Sequence, residues 1–198
     1  MITPFGIRFG IRSPLRWYIT RTMTRRCALL TFLSPLAGRL LAAQGGGRLS
    51  PHETVSLDLN GKKISISYGR PYLKGRHLGD PMAPFGQVWR LGADEATKLT
   101  VSTKALLPHG LELAPGSYAL FAILHPDHWT MIVNKVADQW GAFSYNEKDD
   151  VGRFDLPVKR LSTPVEQFTI SLEKAGPNTA RVTFAWDTAS VSAEMKLL

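Results

Sequence analysis

The stretch TVSLDLNGKKISISY, residues 54–68, decides the fold class. Val55, Leu57 and Leu59 alternate with Ser56, Asp58 and Asn60, and beyond Gly61 the apolar positions resume at Ile64, Ile66 and Tyr68. A period of two puts the apolar side chains of each run on one face of an extended chain, the pattern of a half-buried strand. Asn60-Gly61 between the runs is a hairpin turn signal, because both residues accept the left-handed backbone of a type I′ turn. Outward from this hairpin the pattern repeats. TKLTVSTK (97–104) carries Leu99 and Val101, and SYALFAIL and HWTMIVNK are apolar runs joined by a turn at His125-Pro126-Asp127, which predicts a central hairpin. Phe154, Leu156 and Val158 share a parity, as do Phe168, Ile170 and Leu172. Val182, Phe184 and Trp186 follow, then Val191, Ala193, Met195 and Leu197. No long segment has helical spacing and no repeat is present. An all-β, antiparallel sandwich or jelly-roll-like single domain is expected.

The amino-terminal part has a different character. The chain has 198 residues and a formal charge of +8, but residues 1–43 hold seven arginines and neither lysine nor acid. Taking those seven from 24 basic residues leaves 17 against 16 acidic ones, a net of +1. A near-neutral body gives no electrostatic footprint for a polyanion, so nucleic acid is not an expected partner. TRRCALLTFLSPLAGRLLAAQ, from Thr24, has a basic start, an apolar run and small residues at Ala42-Ala43, as an export signal does. Thr24-Arg25-Arg26 resembles a loose twin-arginine signal, and Met23 is an alternative start. Pro35 and Arg39 interrupt the run, which is too short to span a bilayer. The expected organisation is a signal over 1–43, a flexible lead-in over 44–52 and the sandwich over 53–198. Signal removal would leave a periplasmic or secreted protein with no membrane span. Cys27, the one cysteine, lies within the signal, so the body has no disulfide, and about 155 residues can bury a core without one.

The chemistry-bearing residues cluster between 69 and 97. GRPYLKGRHLGDPMAPFG (69–86) is a long Gly/Pro-rich loop, and such loops are often functional. Arg70 continues the apolar parity of Tyr68, and Arg90 shares that of Val88. Buried guanidinium groups need acceptors, and Asp94 and Glu95 are the expected partners. Arg70, Lys74, Arg76 and Arg90 outnumber these acids even with Asp80 added. That excess, beside Trp89 and Tyr72, suits a small anionic or sugar-like ligand. Trp140 is the aromatic residue expected to line the same pocket. His125 and His128 flank a turn and are expected to point to different sides, so no metal is expected. There is no nucleophile elbow, phosphate loop or zinc-hydrolase motif, and no cofactor is expected.

The segments YGRPYLKGRHLG (68–79), PFGQVWRLGADEAT (84–97), LAPGSYALFAI (113–123), WTMIVNK (129–135) and WGAFSY (140–145) resemble the bacterial DUF2911 family. Its pattern runs Ser-Arg-Pro, Lys-Gly-Arg, Pro-x-Gly-x-Val-Trp-Arg, Gly-Ala-Asn-Glu-Ala-Thr and Leu-Pro-Ala-Gly-Thr-Tyr, and the likeness covers roughly residues 50–197. Gly69 stands for the serine, Asp94 for the asparagine and Ser117 for the threonine, with a shifted turn at Ala114. The resemblance implies an exported bacterial protein and supplies no activity. Three readings follow: a binding protein, a hydrolase or isomerase using Glu95 or Asp94 as general base, and a domain whose ion cluster is only structural.

Overall fold

The computed structural model describes residues 50–198, so the export-signal expectation lies outside the described residues. The described residues belong to one compact unit. Apart from two short 3₁₀ turns, the described residues form strands and loops. No described helix is long and apolar enough to cross a membrane.

The opening hairpin forms as read. Strands β1 (His52–Leu59) and β2 (Lys62–Gly69) pair antiparallel from Leu59↔Lys62 to His52↔Gly69, and Asn60 (φ 57°) and Gly61 (φ 82°) make the turn. His52, expected in the lead-in, is therefore the first residue of a strand. The first sheet continues through β4 (Thr97–Val101), β7 (Gly116–Leu124), β8 (His128–Asn134) and β9 (Asp150–Pro157) in the order β1-β2-β4-β7-β8-β9. Short β3 (Val88–Trp89) pairs with the far half of β7. The expected β7–β8 hairpin is internal to the sheet, which is why its runs are apolar on both faces. The second sheet has the order β10-β11-β5-β6, with β5 (Ala105–Leu106), β6 (Glu112–Leu113), β10 (Lys159–Gly176) and β11 (Thr179–Leu197). The two antiparallel sheets pack face to face as a sandwich.

At the core, Trp89 and Trp186 stack with centroids 5.5 Å apart and planes 9° from parallel. Trp129 and Phe168 meet Trp89 edge-on. Trp89 is only 4% exposed, so it belongs to this core and not to a ligand pocket. Its place beside the charged Arg90-to-Glu95 segment made it look like a site residue, but its indole packs into the core between the sheets.

Strand β11 explains an oddity of the sequence pattern. Its buried apolar residues are even-numbered up to Trp186 and odd-numbered from Ala189 onward. One non-glycine residue with positive φ, Asp187 (φ 54°), marks the change, and the β10 register shifts there. An extra residue of this kind keeps the apolar side inward on both halves. The buried Asp187 carboxylate then accepts hydrogen bonds from the Leu78 N–H (3.1 Å) and faces His77 Nδ1 (3.2 Å), tying the long loop to the second sheet. Leu73 N–H to Glu166 O and Phe168 N–H to Pro71 O fasten the same loop.

Candidate functional site

A cleft of about 400 Å³ opens at the edge of the first sheet, where β1, β2 and the start of β4 meet the 137–140 segment. Its location follows from the hairpin register. Position 69, opposite His52, is a glycine, and a Cβ there would lie 2.2 Å from the Ala93 carbonyl oxygen. Only the absence of a side chain lets the 92–95 turn lie on β2, where Ala93 N–H donates to Gly69 O (3.2 Å). Asp94 takes positive φ (64°) in that turn, a conformation aspartate tolerates better than most residues.

The turn delivers both acids to His52. His52 Nε2 lies 3.0 Å from Asp94 Oδ2 and 3.5 Å from Glu95 Oε2; the two acids are partly buried and His52 is exposed. The opposite wall is fixed by backbone pairing. Glu95 bridges Trp140, Ala96 N–H donates to Gln139 O (2.9 Å) and Gly141 N–H to Asp94 O (3.0 Å). Trp140, 56% exposed, thereby stands beside the carboxylates, and Phe143 next to it is 83% exposed. Lys98 reaches Asp138 across the cleft. Gln139 is buried, and its amide donates to Asn134 Oδ1 and Val136 O, while its Oε1 is buried without a hydrogen-bond partner. Tyr68 borders the cleft with its hydroxyl turned inward, accepting from Ile170 N–H (2.9 Å), and burial pushes its pKa from 10.0 to about 12.

The structure divides the sequence-predicted residues. Glu95 and Trp140 line the cleft, and Asp94 joins through His52. Arg70 does not pair with Asp94 or Glu95. It binds Glu53 (2.9 Å), Phe168 O and Thr169 Oγ1, because its parity aims it at β10 rather than at the 92–95 turn. No described carboxylate pairs with Arg90. Its Nε donates to Gly92 O (3.4 Å), and Nη1 packs against Gly141, whose added Cβ would sit 2.9 Å from it. Arg76 turns back on its own loop, donating to Leu73 O (2.8 Å) and Tyr72 O (3.0 Å). Lys74 is exposed, and its backbone N–H is held by Glu166. The 70–76 cations thus lie outside the cleft lining, and among the described residues around it acids outnumber bases, where the sequence reading expected the reverse. Across the other turn, the His125 and His128 rings do not diverge: they stack 4.3 Å apart, with His128 Nδ1 2.8 Å from Asp127 Oδ1, and that bond lowers the Asp127 pKa.

His52, Lys98, Asp138 and Gln139 went unread in the sequence. His52 was recoverable, since a two-residue turn at 60–61 makes 52 and 69 cross-strand neighbours. Asp138 and Gln139 lie on a loop whose path no periodicity encodes, and Lys98, on β4, meets the cleft only because that loop passes it.

No curated protein and no solved structure matches the chain. The family model described as "Protein of unknown function (DUF2911)" matches residues 50–195, nearly the whole of the sandwich, and the chain belongs to that family.

Proposed function

We propose that this is an exported binding protein whose site is the cleft between His52, Glu95, Lys98, Gln139 and Trp140, and that its ligand is a neutral polyhydroxylated molecule, a saccharide or polyol. The supporting observation is one half-exposed indole, Trp140, standing beside the carboxylates of Glu95 and Asp138 in a cleft of about 400 Å³. An aromatic face receives the apolar side of a sugar ring, while acceptors of this kind take its hydroxyl protons. An anionic ligand fits less well, because among the described residues the cleft gathers the carboxylates of Asp94, Glu95 and Asp138 with one lysine, Lys98, and His52. A screen of neutral, acidic and amino sugars by thermal shift, run in chelator and repeated with zinc chloride, tests the reading. Neutral sugars should stabilise the parent and leave Trp140→Ala unshifted, since a ligand stabilises only the state it binds. Shifts by acidic sugars alone, or none at all, would refute it. Export rests on the residues 1–43 pattern, and amino-terminal sequencing of the secreted form should read from at or near Gln44.

An enzyme is the second reading, favoured by the His52–Asp94 contact at 3.0 Å, in which a carboxylate orients an imidazole at the rim of a cleft. Turnover of a sugar ester or glycoside, lost in His52→Ala, would establish it over simple binding.

A further inference from the structure

We infer that His52, Asp94 and Glu95 form a binding site for one divalent transition ion of the zinc class. The inference deepens the cleft reading above and rests on it for the ion's role, while the ion's presence is measured without any sugar. One donor atom from each residue lies within 4.8 Å of the other two, with His52 Nε2 at 3.0 Å and 3.5 Å from the two carboxylate oxygens. Bonds of about 2.1 Å to a tetrahedral ion place donors about 3.4 Å apart, so the triad needs only small adjustments to close on one. Two carboxylates neutralise a divalent charge, and the imidazole selects a borderline ion over calcium or magnesium, which prefer oxygen donors alone.

Acidic residues by themselves would not carry this assignment, and two further observations do. The nitrogen ligand is set between the acids by the β1–β2 register and the bare Gly69, which are features of the backbone and not of a mobile surface. The triad opens on a cleft of about 400 Å³, which leaves room beside His52 and Glu95 for a water or ligand hydroxyl that completes the coordination. With three protein ligands, an ion here keeps positions open toward the cleft. A vicinal diol is the chemistry that would fill them, which joins the ion to the saccharide reading.

The test is calorimetric titration of zinc chloride into the chelator-treated full chain, with manganese and calcium in parallel. The expected result is one zinc per chain, bound more tightly than calcium. Asp94→Asn removes a charge but keeps a residue that accepts positive φ, so it should fold. It and His52→Ala should each weaken zinc binding beyond the roughly 10–100-fold that loss of an outer-shell partner costs. His125→Ala, in the stacked histidine pair at the other turn, should leave the affinity unchanged. Absence of saturable zinc binding, calcium binding of equal strength, or loss of binding only in His125→Ala would each overturn the assignment. If zinc binds as expected while no sugar shifts the protein, the ion site stands and the saccharide reading falls; sugar shifts in chelator without zinc binding give the converse.

Discussion

Replacing Gly69 with alanine should destabilise the sandwich and dismantle the site together. The added Cβ would lie 2.2 Å from Ala93 O and 2.9 Å from Ala93 C, both backbone atoms that cannot rotate away. Restoring ordinary contact requires the 92–95 turn to retreat by about 1 Å, and overpacking of this kind costs about 1–3 kcal/mol. The retreat also breaks the 3.2 Å bond from Ala93 N–H to Gly69 O, worth about 0.5–1.5 kcal/mol. A combined loss of about 2–4 kcal/mol follows. Gly69 does not have positive φ, so the effect isolates the steric contact from backbone strain. Gly176→Ala is the control, because its Cβ would meet Thr179 at an ordinary 3.4 Å and should change stability by no more than about 0.5 kcal/mol. Urea melts give both values from midpoints at unchanged slope. In Gly69→Ala the displaced turn should also carry Asp94 and Glu95 away from His52 and lower zinc affinity. A Gly69→Ala midpoint equal to that of Gly176→Ala would refute the claim that this close approach builds the cleft.

Three other outcomes are expected. Arg70→Ala should cost about 1–2 kcal/mol, since it strips Glu53, Phe168 O and Thr169 Oγ1 of one shared donor, whereas Arg90→Ala should cost less than about 1 kcal/mol because no described carboxylate loses a partner; denaturant melts that reverse this order would contradict the pairing. Arg76→Ala should cost about 1 kcal/mol for its two loop carbonyls and Lys74→Ala under about 0.5 kcal/mol, with neither altering sugar or zinc titrations of the cleft. In alkali, the Tyr68 phenol keeps its proton to about 12 in the folded protein but only to its ordinary 10.0 when unfolded. Its stabilising contribution is therefore whole below pH 10 and lost as pH rises from there toward about 12. Phenolate absorbance should show two phenols titrating late, Tyr68 and Tyr145, the latter also raised by burial to about 12, with Tyr68→Phe removing one of the two.

The sandwich was written into the local sequence. Period-two patterning across Val55–Leu59, Ile64–Tyr68 and Phe168–Leu172, with Asn60-Gly61 as punctuation, states which face of each strand is apolar and where the chain turns. Even the parity switch within β11 was visible in the residues, although its cause, a single left-handed Asp187, was not. Charge pairing was a different matter. The acids nearest in sequence to Arg90 were expected to neutralise it and Arg70, yet Arg70 reaches Glu53 on β1 and the backbone of β10, and the acids go to His52. Periodicity fixes the side on which a guanidinium leaves its strand. Which carboxylate it then meets depends on how two sheets and three loops are stacked, information carried by contacts such as the bare Gly69 under Ala93 that join residues far apart in the chain. The cleft exists because of those contacts, so Asp94, Glu95 and Trp140 could be named from sequence, while His52, Lys98, Asp138 and Gln139 joined them only in the tertiary fold.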